Sequence, residues 1–149
     1  MNLGHYLGFL AESQSDLADA LREVAHRHAD EVSIFHIAGR LAGQSDEHVK
    51  RLQPFIDRYG SETPEEPERL HSDLFQGSRD GSLGMLRDLH DLYLMTAEVD
   101  ISWTLIAQAA QGARDEDLLE VVQECEQETA TQLAWLRTEM KQAAPQTLV

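Results

Sequence analysis

Apolar residues recur at helical spacing from Leu3 through Leu7, Leu10, Leu17, Leu21 and Val24, and the same phase runs on almost unbroken through Phe35, Ala38 and Leu41. One helix from His5 to Tyr59 would be roughly 80 Å long, at a rise of about 1.5 Å per residue. A domain of 149 residues cannot enclose such a rod. The chain must therefore double back. His26, Arg27 and His28 suit the negative end of a helix dipole, and Asp30 and Glu31 suit the positive start of the next. These residues predict a first helix over 3–29 and a second over 31–59.

Arg58 and Tyr59 before Gly60 end the second helix in the usual way. The following stretch, "GSETPEEPERLHSDLFQGSRDGS", holds two prolines, three glycines and an acidic cluster. It predicts a connection over 60–81, with room for one short helix around Leu70 and Leu74. Ser82 offers an N-cap to a third helix over 82–111, closed by Gly112. Asp115, Glu116 and Asp117 open a fourth over 115–143, which Pro145 bars from continuing.

The expected fold is all-α: one domain over 1–149, a four-helix bundle of two antiparallel hairpins. A helix of about 28 residues is about 42 Å long, and some twenty extended residues reach roughly 70 Å. The connection can thus return along the whole bundle. Helices two and three then run parallel, an arrangement found in bundles with one long crossover.

Twelve basic against twenty-seven acidic residues leave a formal charge of -15. That surplus opposes binding to nucleic acid or anionic lipid and favours neutral or basic protein partners. The lone Cys125 excludes an intrachain disulfide framework. With no apolar run long enough for a membrane span and no basic leader, the expectation is a cytoplasmic protein. Cys125 falls on the core line of the fourth helix and is assigned to packing. His26 and His28 are assigned to the helix dipole, and His5, His36, His71 and His90 have no consistent partner spacing. Gly-x-Ser-x-Gly, phosphate-binding glycine loops and paired-cysteine motifs are absent from the sequence.

Each dry stripe is interrupted. Ser13 and Gln14 occupy a turn between Leu10 and Leu17, and Ser45 and His48, three apart, lie between Leu41 and Leu52. Glu98 stands among Leu94, Ile101 and Leu105, while Glu128 and Gln132 lie between Cys125 and Leu136. With hairpin turns near Asp30 and Arg114, His48 is expected level with Glu12 to Asp16, and Glu98 level with Ala130. All four interruptions then share one depth.

On these residues the chain resembles the ferritin-like superfamily, of the rubrerythrin and di-iron carboxylate type. That family carries one Glu on helices one and three and Glu-x-x-His on helices two and four. The resemblance implies that His48, Glu98 and Glu128 occupy ligand positions. Gln14, Ser45 and Thr131 depart from the pattern, and Asp46 and Glu47 point elsewhere round the helix. Three ligands are too few for a di-iron centre. Two readings follow. In the preferred one the ligands are lost, no cofactor is bound, and a hydrogen-bonded polar layer fixes helix register in an interaction or structural module. In the other, one Fe, Mn or Zn ion sits on His48, Glu98 and Glu128, with Gln14, Ser45 and Gln132 around it, in an oxidoreductase or iron-handling protein.

The third helix is dry on two lines: Leu92, Met95, Val99, Trp103 and Ile106 on one, Leu94, Ile101 and Leu105 on the other. A four-helix core needs only one. The second implies cover by Leu70, Leu74 and Phe75 of the connection or by another copy of the protein, and in a homodimer it is the expected seam.

Overall fold

A computed structural model describes residues 2–60 and 74–149. The described residues form four helices and no strand: α1 (Leu3–Arg27), α2 (Val32–Tyr59), α3 (Gly81–Gly112) and α4 (Glu116–Leu148). α1 packs on α2 and α3 on α4 as two hairpins, and the hairpins meet through α1 with α3 and α2 with α4. Leu3 and Tyr6 lie beside Ile106 and Ala109, and at the other end His28 reaches Asp88. α1 and α3 are therefore antiparallel. It follows that α2 and α3 run parallel across the bundle diagonal, joined by the long connection from Gly60 to Asp80.

The first hairpin turns over residues 28–31, where the His28 amide bonds the Val24 carbonyl and the Glu31 amide bonds the His28 carbonyl. α1 thus stops two residues short of the expected end. At the opposite end Gly4 is obligatory, because a Cβ there would lie 2.1 Å from the Gly60 carbonyl oxygen. Three side-chain pairs clamp α2 to α4 and its N-cap: Arg58 with Asp115, Arg51 with Glu124, and Gln44 with Gln132.

Three sequence expectations about termini are corrected. Ser82 is not the N-cap of α3: Asp80 holds that place, in extended conformation and without a side-chain cap bond. Gly112 does not supply the left-handed residue that ends α3. Arg114 does (φ 56°), with the Arg114 amide on the Gln111 carbonyl and the Asp115 amide on the Ala110 carbonyl, the paired bonds of a Schellman ending. Nor does Pro145 stop α4, which continues to Leu148. A proline removes one backbone donor. Pro145 is exposed, so water can bond the unmatched Lys141 carbonyl in the last turn. Asp115, expected as the first residue of α4, is its N-cap, the carboxylate accepting from the Leu118 amide. Leu74 lies in the connection, not in a helix, and Leu70 lies outside the described residues.

The core takes one stripe from each helix: Leu7, Leu10, Leu17, Leu21 and Val24 from α1, Ala38, Leu41 and Leu52 from α2, Leu92, Val99, Trp103 and Ile106 from α3, and Leu118, Val122, Cys125 and Leu136 from α4, while Phe35 stands exposed. No helix among the described residues is long and apolar enough to cross a membrane.

Candidate polar centre of the bundle

Midway along the bundle α1, α2 and α4 place polar side chains inside. Gln14, Ser45, His48, Thr129 and Gln132 are each at most 1 % exposed. Gln14 Nε2 lies 3.1 Å from His48 Nδ1. The amide NH2 is a donor, so Nδ1 accepts and the proton of the neutral ring sits on Nε2. The His48 ring meets the Trp103 indole edge-on, with centroids 5.7 Å apart. Trp103 Nε1 donates to Thr129 Oγ1 at 3.0 Å, and the Thr129 hydroxyl donates to the Cys125 carbonyl at 2.8 Å. A chain of contacts thus links α1, α2, α3 and α4 at one level.

Burial pushes His48 down to about 4, with the Arg51 cation adding to the effect and Glu47 opposing it. The imidazole is uncharged at neutral pH, so its Nε2, 3.7 Å from Glu128 Oε2, is not in an ion pair. That separation also exceeds a hydrogen bond. His48 Nε2, Gln14 Oε1 and Ser45 Oγ are buried without a protein hydrogen-bond partner. Three such atoms in one layer suit ordered water. Beside them, burial raises the Cys125 thiol to about 12 although Arg51 lies near. This cysteine is a packing residue, not a nucleophile.

Of the expected ligands, His48 and Glu128 come together and Glu98 does not join them. Trp103 faces Thr129 and Tyr93 faces Arg137, so Glu98, halfway between, is level with about Leu133 rather than Ala130. That is about 7 Å along α4 from Glu128. The cause is the α3–α4 turn, which pivots on Asp115 beyond the left-handed Arg114. Glu98 also lies off the buried stripe, on the line of Leu94, Ile101 and Leu105, which are 40, 55 and 49 % exposed. Among the described residues no group of three or more His, Cys, Asp and Glu is arranged to hold a metal ion. Gln132, expected near the ligands, instead donates to Gln44 at 2.9 Å.

A second polar cluster escaped the sequence reading. His28 Nε2 lies 2.8 Å from Asp88 Oδ2, and Asp88 is wholly buried. The Arg79 amide and guanidinium both donate to Asp88 at 2.9 Å, and the same guanidinium reaches Asp91 at 3.0 Å. Gly84 makes room, since a Cβ there would sit 2.8 Å from that of Arg79. His28 is therefore a tertiary clamp and not only a dipole complement. Asp88 and Asp91, three apart and beside the core leucines 89 and 92, were the available signal. His5 packs against Phe9 and His26 against Phe35.

Compared with known families, with characterised proteins and with solved structures, the chain matches none at significant similarity.

Proposed function

We propose that this chain is a ferritin-like bundle acting as an interaction or structural module, with the outer line of α3 as its docking face. The observation carrying this reading is that Leu94, Ile101 and Leu105 stand exposed while the parallel line of Leu92, Val99, Trp103 and Ile106 already fills the core. Large apolar side chains exposed along one helix line mark contact with another protein. A homodimer on this face is the simplest such use, and a basic protein is the alternative partner. The full-length crossover and the polar layer at one depth support the ferritin-like kinship. In this reading the polar layer fixes helix register.

Substitution on the face tests it. Ile101→Ser with Leu105→Ser leaves the melting temperature unchanged or higher, and removes any self-association or partner complex seen by sedimentation velocity. A chain that stays monomeric and binds no protein, with or without these changes, would defeat the reading.

The unpartnered Gln14 Oε1, Ser45 Oγ and His48 Nε2, with Glu128 close by, favour a second reading. In it, one Fe, Mn or Zn ion is held by His48 and Glu128, in a metal-dependent oxidoreductase or iron-handling protein. Stoichiometric metal in protein purified without chelator, lost in His48→Ala, would establish it over the first.

A further inference from the structure

We propose that the seam between α2 and α4 is a side port through which small neutral molecules, and not bulky ones, reach the polar centre, with the Arg51 guanidinium as its lid. The inference goes beyond the docking reading, since it uses no residue of the outer line of α3. Gln44, His48 and Arg51 fall at successive turns on one face of α2, and Gln132, Glu128 and Glu124 at successive turns on one face of α4. The three pairs form a ladder with rungs about 5 Å apart. Its first rung is bonded, Gln132 Nε2 donating to Gln44 Oε1 at 2.9 Å. So is the third, Arg51 donating to Glu124. The middle rung is open: His48 Nε2 and Glu128 Oε2 stand 3.7 Å apart, and the Glu128 side chain is 39 % exposed where that of His48 is 1 % exposed. Water at Glu128 and the buried, unpartnered Nε2 of His48 are thus one carboxylate apart.

Arg51 covers what lies behind the ladder. Its Nη1 is 4.0 Å from the sulfur of the wholly buried Cys125, and its charge acts on His48 and Cys125 together. On the outer side the guanidinium is held by Glu124, with Glu128 adding attraction. Both side chains of the Arg51–Glu124 pair are partly open to solvent. An ion pair so placed is weak and screened by salt. The guanidinium can therefore swing out into water on its flexible stem while the helices stay packed. Because the backbone does not move, the gap it leaves is only as wide as a guanidinium. Such a gap admits a molecule of a few heavy atoms and excludes an aromatic disulfide.

The sole thiol of the chain reports the opening. Methyl methanethiosulfonate, small and neutral, is expected to label Cys125 of the full chain in native buffer at a rate that urea below the unfolding transition leaves flat, as a local opening requires. An aromatic disulfide is expected to label only on unfolding. Raising salt should speed the small reagent. Arg51→Ala should speed it by about tenfold or more, still without dependence on urea. Loss of the cation disfavours the thiolate, so that gain can come only from access. Arg22→Ala, which breaks the Arg22–Asp46 pair between α1 and α2, should change nothing. Trp103, edge-on to His48, is the second reporter: in a Trp135→Phe background its quenching by acrylamide should rise with Arg51→Ala. Small-reagent labelling that climbs with urea in step with unfolding, or that is no faster in Arg51→Ala than in the parent, would overturn the proposal. So would faster labelling without faster quenching, which would confine the opening to the thiol. If Arg51→Ala does not fold, the salt series on the parent decides, and a rate indifferent to salt would equally overturn it.

Discussion

Gln14 of α1 donates through Nε2 to His48 Nδ1 of α2 at 3.1 Å, joining two residues 34 positions apart in the middle of a largely apolar core. The bond satisfies one imidazole nitrogen, leaves the proton on the other, and holds the ring edge-on to Trp103. It also keeps inside the fold a group that charges easily in the unfolded chain.

Stability should therefore fall with acid. His48 is lowered by burial to about 4, against an ordinary value of 6.5. The unfolded chain takes up this proton first, so the contribution is whole above pH 6.5 and is lost as pH falls from there toward about 4. The full loss is about 3 kcal/mol. Urea midpoints of the parent and of His48→Asn, measured across this range, should converge toward the acid end. Parallel curves would show that His48 takes no part.

Asp88→Asn should destabilise the bundle by roughly 3 kcal/mol, because a buried carboxylate holding both His28 and Arg79 loses its charge and part of its acceptor capacity. Hydrogen exchange should rise first at the Arg79 amide, which bonds Asp88 directly. Retention of the parent melting temperature would contradict this account.

Cys125 should resist thiol reagents in the native state, since burial raises the thiol to about 12 and the residue is fully covered. Labelling with an aromatic disulfide should therefore track unfolding, accelerating with urea in step with the loss of helical circular dichroism. Fast labelling in native buffer would place the thiol in a more open site than the packing gives it.

Arg114→Gly should raise stability by up to about 1 kcal/mol, because the left-handed backbone that Arg114 adopts strains any residue with a Cβ. The gain is read as a higher melting temperature. Arg114→Val, branched at Cβ, should fall below the parent.

Much of the bundle was legible in the sequence because helical periodicity is local. The stripe Leu7, Leu10, Leu17 and Leu21 announces a buried face wherever its partner lies, and the interruption at Gln14 announces a polar layer. The hairpin turn near Asp30 also came out well enough to set His48 opposite Gln14. The second hairpin also turns where expected, at Arg114, but an error of a few residues in register is enough to carry Glu98 a helical turn from the level of Glu128. His28 was read from its neighbours in sequence, while its partner Asp88 is 60 residues away.

Taken alone, the order of residues determined how many helices form, which face of each is dry, and that a long return must join the second to the third, since these follow from short-range spacing and chain length. Tertiary structure alone decided that Trp103 reaches Thr129, that Arg79 and His28 share Asp88, and that Glu98 lies among exposed leucines. Those outcomes depend on how far one helix slides and rotates against another, which turn backbones and packing set together and which no local pattern encodes.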